Sequence, residues 1–174
     1  MSVNSGTPHG RTPADIAKNA QRKFDSLQLN DNTSTTLLDI VGLVVDRLGK
    51  PIAIEPIGDK SWATVTGLWV DTADRHRILI RKTDTPLYQM HVVLHELAHI
   101  LFEHPGCKTA RATAPGVAID ATSAEVRARK VIASSSSASV VSDAVLEGEA
   151  EHLAFLLSRI LLRPKNDSDE RIFG

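Results

Sequence analysis

Cysteine is nearly absent. Cys107 is the only one among 174 residues, so no internal disulfide can form, and a reducing, cytoplasmic setting is expected. Charge of one sign is lacking too. Twenty Lys and Arg stand against 21 Asp and Glu, a formal net charge of −1. That balance excludes the basic footprint of a dedicated nucleic-acid binder, and an acidic solvating tail as well. Long hydrophobic runs are missing. The longest, Leu37–Val45, is broken by Asp39 and Gly42 and falls far short of the roughly 20 residues of a membrane helix. The opening MSVNSGTPHGRTP holds no apolar stretch of a secretory signal, and no internal repeat is visible.

What remains is an ordinary globular composition, 42% hydrophobic and 24% charged, which can build a core. The length suits a single domain. Residues 1–12 are rich in Ser, Gly, Pro and Asn and are expected to form a flexible arm. The domain is expected over 13–164, followed by a charged, flexible tail at 165–174. One excess stands out: of seven histidines, His91, His95, His99 and His104 lie within a single stretch.

Periodicity predicts a short helix over 13–28, with Ile16, Ala20, Phe24 and Leu27 as its apolar stripe, and a stronger helix over 35–49 ended by Gly49 and Pro51. Three β-prone runs follow. Ile52–Glu55 is one; Val65–Asp71 and His76–Lys82 flank the polar Thr72-Ala73-Asp74-Arg75 and predict a hairpin. Pro86 opens a segment that is apolar almost all round to Phe102, as in a helix buried on most sides. Residues 106–143 form a long polar, serine-rich connection with a composition compatible with a short helix around Ser123–Ala133. Such connections act as lids or as linkers. A last helix is predicted from Asp143 to Leu162.

The buried helix carries His95-Glu96-Leu97-Ala98-His99, an HExxH. Residues four apart share a helix face, so both imidazoles can reach one ion. Glu96, about 100° round, can hold a water and act as general base. Imidazole nitrogen suits Zn2+. A third ligand is needed. His91 and Glu103 lie about 6 Å per step too far along a straight helix. The metzincin pattern fails, because Phe102 and Pro105 occupy the positions that need glycine and histidine.

The last helix offers the ligand. Glu147, Ala150, Glu151 and Ala154 share one face, and the two alanines let another helix come close. The helical wheel selects Glu147 as metal ligand. Glu151, one turn on, can accept the remaining N–H of a ligating histidine. Glu149, His152, Arg159 and Arg163 fall on a different face, expected to meet solvent. Tyr88, His104 and His152 are candidates to stabilise an oxyanion. The strand His76–Lys82 is a candidate edge that could pair with extended substrate. Arg75, Arg77 and Arg81 would favour an acidic flank there, and Cys107 could reach the ion as an inhibitory thiolate.

HELAH on one helix, followed by a Glu147-x-Glu149-Ala150-Glu151-x-Leu153-Ala154 helix, resembles the ImmA/IrrE family of zinc metallopeptidases. The resemblance covers roughly 35–162. It implies an α+β, minimal zincin or gluzincin-like fold, with a small antiparallel sheet packed on helices that include the HExxH helix. It implies His95, His99 and Glu147 as zinc ligands, Glu96 as base and Glu151 as partner of a ligating histidine. Members of the family typically cleave or otherwise inactivate a helix-turn-helix repressor. No helix-turn-helix is recognisable in this chain, so DNA binding would belong to that partner. The alternative is a non-catalytic, zinc-containing regulatory protein that binds and sequesters a DNA-binding partner. The chain departs from the family in its long connection between His99 and Glu147, and in a displaced Leu161-Leu162-Arg163-Pro164.

Overall fold

A computed structural model describes residues 12–29, 34–58, 65–104, 125–130 and 137–163. It is an α+β arrangement. The elements run α1 (Pro13–Ser26), α2 (Leu37–Leu48), β1 (Ile52–Ile57), β2 (Val65–Asp71), β3 (His76–Arg81), α3 (Pro86–Phe102), β4 (Glu125–Lys130) and α4 (Ser137–Leu161). Most of the expected arm and tail, Cys107 and much of the 106–143 connection lie outside the described residues.

Local chemistry sets the helix ends. Thr12 begins α1 rather than closing an arm: its hydroxyl accepts from the Asp15 N–H, and the Asp15 carboxylate accepts from the Thr12 N–H. Thr36 and Asp39 make the same reciprocal pair at the start of α2. Each pair satisfies amide donors that a helix start leaves without partners. Gly49 ends α2 at φ 67°, a left-handed conformation that glycine adopts without a Cβ penalty. Thr85 caps α3, and Pro86 takes the first turn, where a missing N–H costs nothing.

The sheet is mixed, in the order β1-β3-β2-β4. β2 and β3 form the expected antiparallel hairpin, with Leu68 opposite Leu79 and Asp71 opposite His76. β1, however, runs parallel to β3. The expected antiparallel sheet is thus a mixed one, and β1 does not lie beside its sequence neighbour β2. Instead the chain passes over one strand position between them, and β3 returns to fill it. β3 is therefore interior, and its backbone is already paired on both sides, so it offers no edge to a substrate. β4 pairs antiparallel with β2 across a register irregularity between Val65 and Leu68. It occupies the segment where a short helix was expected.

The core lies between the sheet and the helices. Ile78, Ile80 and Trp69 meet Val92, Val93, Leu94, Leu97, Ile100 and Leu101 of α3. α3 also packs along α4, whose Ala150, Leu153, Ala154 and Leu157 are fully buried. Burying each large aliphatic chain contributes about 1.5–3 kcal/mol. α4 packs in turn on α1, and the two come close at Gly148, where an added Cβ would stand 3.2 Å from Ile16 Cγ2. Among the described residues no helix is long and apolar enough to cross a membrane.

Candidate metal centre

α3 and α4 bring three ligand-type side chains to one point. One atom from each of His95, His99 and Glu147 lies within 4.8 Å of the others. His95 Nε2 and His99 Nε2 are 3.0 Å apart, and each lies 3.4 Å from a different Glu147 oxygen. The histidines share a face because they are four residues apart. Glu147 reaches them because Ala150 and Ala154 keep α4 close. Two imidazoles and a carboxylate are a donor set that holds a divalent cation and leaves an open position. Burial alone would raise the Glu147 carboxyl, but the imidazoles of His95 and His99 together hold it well below the usual carboxylate range.

The outer nitrogens of both histidines are also engaged. His95 Nδ1 lies 3.2 Å from Glu151 Oε2. The other Glu151 oxygen lies 3.3 Å from His91 Nε2, so this carboxylate spans a full turn of α3. His99 Nδ1 lies 2.9 Å from His104 Nδ1, and His104 Nε2 lies 3.2 Å from Glu149 Oε2. Asn19 of α1 donates to the remaining Glu149 oxygen at 2.6 Å. Burial, and then the nearby charge of His99, push His104 down to about 4 against the opposing pull of Glu149.

His104 reaches this position through a tight turn. Glu103 sits at φ 54°, and the His104 N–H bonds back to the His99 carbonyl at 3.1 Å. The chain thus folds back over the last turn of α3, and the His104 ring stacks on Phe102 with an interplanar angle of 3°.

Glu96 is buried, 2% exposed, and faces β2. A Cβ on Gly67 would overlap Val92 Cγ1 and stand 3.1 Å from Glu96 Oε1. The missing side chain at Gly67 therefore makes room for this carboxylate.

The three oxyanion candidates fall in different places. His104 is buried against His99. His152 is exposed and donates from Nδ1 to the Gly148 carbonyl at 3.1 Å. Tyr88 sits seven residues before His95, about 10 Å along the helix axis. It lines a groove of about 690 Å³ between α3 and the end of α4, together with Leu87, Met90, His91, Phe155 and Leu162.

Two expectations are corrected. Glu149 does not face solvent. It is 2% exposed, because α1 covers that side of α4. The arginines near β3 are engaged in ion pairs: Arg77 with Glu55, Arg81 with Asp84 and Arg75 with Asp74. Asn19 and Gly67 carry no motif of their own. Asn19 could have been noticed only as a polar neighbour of Ala20 on the apolar stripe of α1.

Comparison of the chain with protein-family models, with curated proteins and with solved structures finds no match in any of the three.

Proposed function

We propose that this chain is a zinc-dependent endopeptidase of the minimal zincin type. The observation that carries this reading is the convergence of His95, His99 and Glu147 from two helices, with Glu96 buried one residue along from the first ligand. When bound there, zinc would supply Lewis acidity toward a scissile carbonyl and toward water. The Glu96 carboxylate would then take a proton from water and return it to the leaving amine. Glu151 holds the His95 ring in the orientation that points Nε2 inward. The apolar groove reaches His91, which shares Glu151 with His95. That continuity supports a substrate with bulky apolar side chains beside the cleaved bond.

The substrate class follows from the resemblance to the ImmA/IrrE family: a helix-turn-helix repressor, cleaved or otherwise inactivated. The test uses the full chain and its candidate repressor. Metal analysis should give zinc that is reduced by His95→Ala or Glu147→Ala. Glu96→Gln should keep the metal and abolish cleavage. Full relief of repression by Glu96→Gln would sink the peptidase reading and leave sequestration of the repressor in its place.

A further inference from the structure

We propose that His104 and Glu149 are positioning residues of the metal centre, which bring a buried carboxylate to bear on the outer nitrogen of His99. The inference rests on the metal-centre reading above.

Hydrogen-bond direction fixes the tautomer of each ring. If His99 Nε2 faces an ion, it must present a lone pair. Its proton is then on Nδ1, which donates to His104 Nδ1 over 2.9 Å. A neutral imidazole that accepts at Nδ1 carries its proton on Nε2. That N–H points at Glu149 Oε2, 3.2 Å away. The carboxylate ends the chain, with Asn19 donating to its other oxygen. Every donor meets an acceptor, and only one tautomer of each ring satisfies the set. A carboxylate behind a ligating histidine fixes its tautomer and raises its basicity. Here the effect passes through a second imidazole.

The arrangement is built from several elements. Two positions beyond Glu147 is about 200° round α4, so Glu149 faces α1 rather than α3. The left-handed turn at Glu103 brings His104 into the gap between them. Close approach of α1 at Gly148 places Asn19 within reach. His104 and Glu149 are 4% and 2% exposed. Burying such a polar pair does little for folding, since apolar replacements of similar volume are often neutral or stabilising. Its physical use is at His99. His95 receives its carboxylate directly from Glu151, so each histidine of the triad is backed by an anion.

The experiment measures zinc affinity of the full chain by competition with a chromophoric chelator, beside the thermal midpoint of each metal-free protein. Glu149→Gln keeps the shape and removes the charge. It should weaken zinc binding by about 10–100-fold, while the metal-free protein still unfolds cooperatively with a midpoint lowered only by the second donor now placed among Asn19 and His104. Nitrogen NMR of the zinc-loaded wild type should find the His99 proton on Nδ1 and the His104 proton on Nε2, a result that needs no variant to fold. Wild-type affinity in Glu149→Gln, or a His104 proton on Nδ1, would overturn the inference and leave the metal centre standing. A wild-type chain that binds no zinc would overturn both.

Discussion

Glu96 occupies space that a side chain at Gly67 would need: a Cβ there would stand 3.1 Å from Glu96 Oε1 and overlap Val92 Cγ1. β2 thus helps to position the candidate base by carrying no side chain opposite it. Gly67→Ala has two opposed effects. Alanine in a strand gains roughly 0.5–1 kcal/mol over glycine, whereas forcing a methyl into a packed core costs about 1–3 kcal/mol. Val92 is β-branched and has one strongly preferred rotamer in a helix, so it cannot swing aside cheaply. Overpacking should win. The denaturation midpoint should fall, and peptidase activity should fall further than the lost folded fraction explains. An unchanged midpoint would show that β2 and α3 separate freely.

The turn at Glu103 leads to a second prediction. A non-glycine residue in left-handed conformation costs about 1–2 kcal/mol, and Glu103 sits there at φ 54°. Glu103→Gly should raise the thermal midpoint and leave zinc affinity unchanged, because the backbone that presents His104 is preserved. Glu103→Val should lower the midpoint and weaken zinc binding together. Equal midpoints for the two variants would contradict the strain argument.

How much of this was visible beforehand follows from the range of each interaction. α3 was legible to its ends, because Pro86 and the apolar run from Leu87 to Leu101 are local signals. His95 and His99 were legible because they share one helix turn, and Glu147 because Ala150 and Ala154 mark a close-packed face. β4 was not. Glu125-Val126-Arg127-Ala128-Arg129-Lys130 is mostly composed of residues that favour helices, and its pairing with β2 is long-range. The burial of Glu149 is illegible in the sequence for the same reason: α1, more than a hundred residues away in the chain, covers it.

Acid should weaken the metal-free protein through His104. The groups facing it are His99 from α3, and Glu149 and Glu147 from α4. Its native value of about 4 lies below the ordinary 6.5. Between those values the unfolded chain binds a proton that the native state does not, so stability rises with pH. The contribution is complete above the ordinary histidine value and is lost as pH falls toward the native one. Glu147 acts in the same direction, but only below its ordinary value of 4.5, so the two windows overlap only at their shared edge. Denaturant titrations of wild type and His104→Gln should diverge as pH rises between about 4 and 6.5. Parallel curves would remove His104 as the cause.

Metal binding should separate the ligands from the base by stability alone, without a substrate. An ion that binds only the native state stabilises it by about 2.7 kcal/mol at a free concentration 100-fold above its dissociation constant. Zinc should therefore raise the thermal midpoint of the wild type, and a chelator should reverse the rise. Glu147→Ala should lose most of this response, since two imidazoles alone hold the ion more weakly than the triad. Glu96→Gln should keep the response in full, because the role proposed for Glu96 is proton transfer rather than coordination. A zinc response that survives Glu147→Ala but vanishes in Glu96→Gln would exchange the roles of the two carboxylates, and Gly67 would then be making room for a ligand rather than a base.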